Sequence, residues 1–121
     1  MSSKNELVNK IVKLLDDKKA RDIQVLDIHE LTTITDYFII ATGNSTTQVK
    51  ALCDHVEEEL HKQGVYHTNK EGYQTASWIL LGYQDVVIHL FLGETREFYK
   101  LDHVWQDAGI VDISDIISGE E

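Results

Sequence analysis

A glycine-containing turn and two isolated aspartates are the first residues whose types suggest chemistry. Gly43-Asn44-Ser45 lies between a predicted strand and a predicted helix, where backbone amides can hold a phosphate. The turn has one glycine and matches neither the P-loop nor the dinucleotide-binding pattern. A nucleotidyltransferase would also need paired carboxylates to hold magnesium, whereas Asp27 and Asp36 stand alone and no Asp-x-Asp occurs. We therefore interpret the turn as a structural helix start, and expect no catalytic residues and no cofactor.

Six histidines and one cysteine raise the question of a metal site or a nucleophile. His55, His61 and His67 are six residues apart, which rotates their side chains away from one another on a helix, and no cysteine pair accompanies them. We expect surface histidines and no metal. Cys53 lies on a predicted apolar helix stripe and is interpreted as core rather than nucleophile. His89 interrupts an apolar strand and is predicted to be hydrogen-bonded at the sheet surface.

Aromatic side chains concentrate between residues 78 and 105. They are Trp78, Tyr83, Phe91, Phe98, Tyr99 and Trp105. Some must be core, but Tyr83 falls in a predicted turn, and it and one tryptophan are poor candidates for full burial. Exposed aromatics on a sheet and its rim are typical of a protein interface. The group as a whole therefore favours an interface.

Composition narrows the classes of protein that this chain can be. It has 121 residues, enough for one domain with a real core, and 42% of them are hydrophobic, which excludes a disordered chain. The formal net charge of −10 argues against general binding to a phosphate backbone and favours basic partners. The single cysteine permits no internal disulfide, and no signal peptide or membrane-spanning stretch is evident. We expect a cytoplasmic protein.

Two amphipathic helices are predicted in the first half of the chain. Ser3 and Glu6 fit a capping box, and Leu7, Ile11, Leu14 and Leu15 recur at helical spacing in a helix that should end near Lys19. Ser45 and Gln48 fit a second capping box, and Gly64 is a natural helix end. The second apolar stripe consists of Val49, Leu52, Cys53, Val56 and Leu60.

Strand patterns lie between and after these helices. Predicted strands cover residues 23–28, 38–42, 78–81 and 86–91, and the polar segment 65–76 is a loop with room for a short strand. Gly82-Tyr83-Gln84-Asp85 should join the last two strands as an antiparallel hairpin. A short helix is predicted over 94–101, and residues 109–121 are interpreted as a loosely docked tail. This order predicts a single-domain α/β fold, a mixed sheet flanked by helices.

Several separate blocks of the chain resemble the ribosomal silencing factor family, the Iojap-like proteins. The blocks are residues 31–45 with Gln48-Val49, Asp22-Ile23 with Leu26-Asp27, Trp78-Ile79-Leu80-Leu81, residues 85–91, Arg96-Glu97-Phe98-Tyr99, and Leu101-Asp102 with Trp105. They occur in the expected order from about Leu7 to Ala108, nearly the whole chain. Such a match is highly specific.

This resemblance implies an α/β fold similar to nucleotidyltransferases but without their catalytic carboxylates. It also implies binding to the large ribosomal subunit through large-subunit ribosomal protein fourteen, near where the small subunit docks. Binding would block subunit joining and lower translation when nutrients are short. The matching contact region lies around Trp78 and Tyr83, and we expect His89, Arg96 and Tyr99 to contribute to partner binding, with little direct RNA contact.

The chain departs from the family pattern at three positions, and two other functions stay open. Gly82 replaces a usual aspartate, Gln84 a usual glycine and Asp102 a usual glutamate, so a salt bridge at position 82 is not carried over. One alternative is a large-subunit assembly factor that uses the same surface. The other is a small nucleotide-binding transferase that uses Gly43–Ser45 and Asp36. The sequence also leaves open whether the free protein is a homodimer.

Overall fold

The computed structural model describes residues 3–31, 33, 35–93, 109–111, 113 and 116. The elements are α1 (Ser3–Asp17), β1 (Arg21–Asp27), β2 (Tyr37–Gly43), α2 (Thr46–Lys62), β3 (Asn69–Glu71), β4 (Trp78–Tyr83), β5 (Val86–Leu92) and β6 (Gly109–Ile110). The helix predicted over 94–101 lies outside the described residues. Within the described ranges, no helix is both long and apolar enough to cross a membrane.

The strands form one mixed sheet, in the order β3-β4-β5-β2-β1-β6. β2 and β5 are parallel, whereas every other neighbouring pair is antiparallel. The predicted hairpin between β4 and β5 is confirmed, and so is the predicted α/β class with a mixed sheet. The predicted loop over residues 65–76 contains one short strand, β3.

Both described helices pack on one face of this sheet, where the main core lies. The predicted stripe of α2 is confirmed, because Val49, Leu52, Cys53, Val56 and Leu60 are all fully buried. The buried stripe of α1 is Val8, Ile11, Val12 and Leu15, whereas Leu7 and Leu14 are only partly buried beside it. The buried residues of α1 keep helical spacing, but the buried face is rotated by about one residue from the predicted face.

The start and end of α2 follow the local signals in the sequence. Ser45 is the N-cap, and its side chain accepts a hydrogen bond from the Gln48 backbone at 3.1 Å. The Gln48 side chain in turn accepts from the Asn44 backbone at 2.6 Å, so this turn satisfies its own exposed amides. Gly64 has a φ of +80°, the left-handed conformation that commonly ends a helix and that glycine adopts without strain.

The connection between β4 and β5 is tighter than predicted. Tyr83 pairs with Val86, so Gly82 and Tyr83 belong to β4 and only Gln84 and Asp85 form the turn. The expectation that Tyr83 lies exposed in a turn is wrong. Its side chain is 3% exposed in the core, because strand alternation directs it to the same face as Ile79 and Leu81.

The segment after residue 108 contains a short strand, β6, where no strand is predicted. Gly109 and Ile110 pair with Asp27 and Leu26 at the edge of the sheet, and the Val111 amide donates to the Val25 carbonyl at 3.0 Å. Ile113 is buried against the main core. The description of 109–121 as a loosely docked tail stays a prediction for the segment as a whole.

Candidate partner-binding face

The sheet face opposite α1 and α2 carries a row of aromatic and aliphatic side chains. We call it the aromatic face, and define it by Phe38, Trp78, Leu80, Val87, His89 and Phe91. The strand register brings these residues together, since Trp78 lies opposite Phe91, Leu80 opposite His89, and Phe38 opposite Val87. Phe91 is fully buried, while Phe38 and Trp78 are partly buried in a second, smaller apolar cluster.

Trp78 is the largest side chain of the aromatic face and is held in a defined orientation. Its ring stacks on Phe91 with the centroids 5.1 Å apart. Its indole Nε1 donates a hydrogen bond to Nδ1 of His89 at 3.0 Å. The indole is therefore pre-oriented while part of it stays accessible to solvent, the combination that favours an interface anchor.

His89 occupies the centre of this face, between Leu80 and Ile40 in the register. The residue is only 4% exposed, and burial lowers the pKa of its imidazole from 6.5 to about 4. The ring is thus neutral near pH 7. Phe38 contacts it in a T-shaped arrangement with the centroids 4.7 Å apart. The predicted hydrogen bond of His89 is confirmed, but the residue is buried rather than exposed at the sheet surface.

A groove of about 440 Å³ opens beside His89. Apolar side chains of Phe38, Leu80 and Val87 line it together with His89, and Thr68, Asn69 and Gln84 add polar groups. An apolar groove with a few polar groups is the usual form of a site that receives part of another molecule.

Carboxylates surround the end of the sheet where this groove opens. We call Asp27, Glu30, Asp36 and Asp85 the acidic edge. The Asp36 amide donates to the Asp85 carbonyl at 3.0 Å, which joins the start of β2 to the β4–β5 turn. Residues 27–37 and 83–86 contain no lysine or arginine, and His29 is their one histidine. The hydrogen bond from His29 to Asp27 raises the pKa of that histidine. This edge favours a basic partner.

The five predicted contact residues have different outcomes. Trp78 and His89 lie together on the aromatic face and are hydrogen-bonded to each other. The Tyr83 side chain belongs to the core, and burial raises the pKa of its hydroxyl. Arg96 and Tyr99 lie outside the described residues. Phe38 and Leu80 are not among the predicted contact residues, although the alternation within each strand places them on the same face as Trp78 and His89.

The structure weakens the nucleotide-binding alternative. Asp36 precedes β2 and Gly43 ends it, so the seven residues of β2 separate them by roughly 20 Å. The hollow at Gly43–Ser45 holds about 300 Å³, and its Asn44 amide already has a partner in Gln48. Asp36 and the turn therefore cannot form one phosphate and magnesium site.

One group of metal-ligand types occurs in the described part of the chain, and internal partners already engage it. Cys53, Asp54 and Glu57 have ligand atoms within 4.8 Å of one another. Glu57 pairs with Lys70 at 2.8 Å and with His67 at 3.1 Å, while Asp54 accepts from the Tyr73 hydroxyl at 3.0 Å. These bonds attach β3 and its neighbouring loops to α2.

Cys53 and His55 are too enclosed to act as a nucleophile or as a metal ligand. Burial raises the pKa of the Cys53 thiol to about 12, so the thiolate that a metal or an electrophile needs is disfavoured. His55 is half-buried with its Nε2 enclosed, so the expectation of a surface residue is wrong there. His61 and His67 are exposed as expected.

A family model, a bacterial relative and a solved structure each match most or all of the chain. The family model described as "Ribosomal silencing factor during starvation" matches residues 1–121. The ribosomal silencing factor of Halalkalibacterium halodurans is 36% identical over 116 residues, covering 96% of this chain and 99% of that protein. A crystal structure of a Chromobacterium violaceum protein superposes with a TM-score of 0.82 at 35% identity, covering 84% of this chain and 85% of that one.

A eukaryotic relative is also similar. The mouse protein named for mitochondrial assembly of the ribosomal large subunit is 33% identical over 101 residues, which are 81% of this chain and 44% of that protein. The full-length family match, the bacterial relative and the shared fold lead to one conclusion. This chain belongs to the ribosomal silencing factor family.

Proposed function

We propose that this protein binds the large ribosomal subunit through its aromatic face and prevents the small subunit from joining. The contact is with large-subunit ribosomal protein fourteen, as the family resemblance implies. The observation that carries the proposal is the aromatic face itself, where a partly exposed, pre-oriented Trp78 adjoins an apolar groove. Neither described helix covers this face, because both pack on the other side of the sheet.

The mechanism is steric occlusion, and no covalent bond is made or broken. A domain of 121 residues is roughly 30 Å across, enough to hold two subunit surfaces apart. A protein bound near the docking site of the small subunit therefore lowers the number of complete ribosomes. The family description, a ribosomal silencing factor during starvation, supports an action when nutrients are short, and a ribosomal partner supports a cytoplasmic location.

Charge supports a protein contact rather than an RNA contact. The acidic edge borders the groove, and the whole chain carries a formal charge of −10. Such a surface repels the phosphates of ribosomal RNA and attracts a basic ribosomal protein. We therefore expect little direct RNA contact.

Sedimentation of the purified protein with large ribosomal subunits tests the binding step. Trp78→Ala should weaken binding by about 2 kcal/mol, roughly thirtyfold, because it removes the anchor of the aromatic face. Tyr66→Ala is the matched control, since Tyr66 is 60% exposed and contacts His61 of α2. The binding proposal fails if both variants bind alike. It fails as well if Trp78→Ala unfolds the protein, since Trp78 is then a core residue.

A role in assembly of the large subunit is the second candidate, and the name of the mouse relative favours it. Both roles use one interface, so binding alone does not separate them. A subunit-joining assay does: silencing predicts fewer complete ribosomes when the protein is added to mature subunits. Assembly predicts no such effect, and predicts incomplete large subunits in cells that lack the protein.

A further inference from the structure

The aromatic face contains a buried hydrogen-bond donor that the described part of the protein does not use. His89 has two ring nitrogens, and only Nδ1 has a partner, the Trp78 indole. Nε2 is enclosed and has no hydrogen-bond partner among the described residues. A buried polar atom without a partner destabilises the fold, so such an atom in a folded protein needs an explanation.

The Trp78 hydrogen bond determines which nitrogen of His89 carries the proton. An indole N–H can only donate, so Nδ1 must be the acceptor. In a neutral imidazole the other nitrogen then carries the proton. Nε2 is therefore an N–H donor, and Trp78 acts as a positioning residue that sets this tautomer.

The groove that His89 lines indicates the kind of acceptor that fits its donor. His89 borders the 440 Å³ groove, where Phe38, Leu80 and Val87 are its apolar neighbours. A neutral donor in an apolar groove suits an uncharged acceptor, because stripping water from a phosphate or carboxylate there would cost far more. The acidic edge next to the groove opposes an anionic acceptor as well.

We propose that His89 Nε2–H donates a hydrogen bond to a backbone carbonyl oxygen of the ribosomal protein bound in this groove. This inference rests on the proposed function, and it names one atom through which the partner is recognised. The bond gives the unpaired donor a partner, so its cost in the free protein is recovered on binding. A partner that places an apolar group there leaves the donor unpaired and binds more weakly.

Side-chain movement gives the partner access to Nε2. Leu80 and Val87 are only partly buried and lie on the sheet face away from the main core, so rotamer changes of these two side chains leave that core undisturbed. Rotamer changes of this kind are common when protein interfaces form.

Two substitutions at His89 test the donor directly, with purified large ribosomal subunits as the probe. His89→Phe keeps a ring of similar size and removes both nitrogens, so binding should weaken about tenfold or more. His89→Gln retains an N–H donor near the position of Nε2 and should bind within a few-fold of the natural protein. His61→Phe, at an exposed histidine of α2, is the control and should have no effect.

A spectroscopic measurement keeps the test independent of variant stability. Nitrogen-15 NMR of the imidazoles in the free natural protein should show His89 protonated on Nε2 near pH 7, with its N–H resonance shifted when subunits bind. The inference is overturned if Nδ1 carries the proton, or if His89→Phe is folded and binds like the natural protein while Trp78→Ala does not. A natural protein that fails to sediment with subunits overturns the proposed function, and this inference with it.

Discussion

His89 lies in a strand whose other side chains are apolar, and its environment keeps the ring uncharged. Its neutrality follows from burial, which is the single cause that lowers its pKa to about 4. Its tautomer follows from Trp78, which lies eleven residues earlier and reaches it only through the β4–β5 pairing. The chemical state of this residue is thus a property of the hairpin rather than of position 89 alone.

The lowered pKa of His89 predicts how stability depends on pH. The unfolded chain takes up a proton near pH 6.5, whereas the folded protein does so only near pH 4. His89 therefore contributes stability above pH 6.5 that is lost as the pH falls towards 4, about 3 kcal/mol across that window. Urea unfolding at a series of pH values should show a shallower loss for His89→Phe than for the natural protein.

The comparison of the two slopes isolates His89, because the variant differs from the natural protein at that one position. Equal slopes for the natural protein and His89→Phe would show that His89 is not held neutral in the folded state.

At the scale of elements, Gly82 explains why the sequence predicts that the β4–β5 turn begins at residue 82, two residues before it does in the structure. A glycine before Tyr83 is typical of a turn, but in the structure it serves close packing within the sheet. A Cβ at position 82 would overlap Oδ1 of Asn69, and the Gly82 carbonyl accepts hydrogen bonds from both the amide and the hydroxyl of Thr68. The glycine thus allows β3 to approach β4.

The N-cap of α2 gives a prediction at the same scale. Ser45→Ala removes the acceptor of the Gln48 amide and should lower the free energy of unfolding by about 1 kcal/mol. Chemical denaturation measures this loss, and Ser45→Asp should restore most of it because aspartate also caps helices. Binding to large subunits should stay unchanged, since the cap is on no part of the aromatic face. A loss of binding with full stability would instead make this turn part of an interface.

At the scale of the whole molecule, the acidic charge is unevenly distributed. Residues 81–121 hold nine acidic side chains against two basic ones, which accounts for seven of the ten net negative charges. If this third of the chain faces a basic ribosomal protein, the field should mainly increase the association rate. The aromatic contacts act at short range and should determine the dissociation rate.

Binding kinetics on immobilised large subunits test this division between charge and contact. The association rate should fall severalfold from low to physiological salt, while the dissociation rate changes little. Neutralising the acidic edge with Glu30→Gln and Asp85→Asn should reduce the salt dependence and leave the dissociation rate unchanged. An association rate that rises with salt would show that the acidic third faces RNA or solvent.

The sequence by itself determined the features that depend on local periodicity and capping. The α2 stripe from Val49 to Leu60, the cap at Ser45 and the helix end at Gly64 were all predicted, because each is set by residues within a few positions of it. The β4–β5 hairpin was predicted for the same reason. The family resemblance added the ribosomal function, which no local pattern implies.

Only the tertiary structure decided the features that depend on residues far apart in the chain. The inward direction of Tyr83 follows from its pairing with Val86, and the pairing of Ile110 with Leu26 joins segments more than eighty residues apart. The bond between Trp78 and His89 likewise requires the exact strand register, which a single-residue slip would destroy. The sequence therefore could not predict the donor at Nε2, because the protonation of that nitrogen depends on the cross-strand hydrogen bond from Trp78.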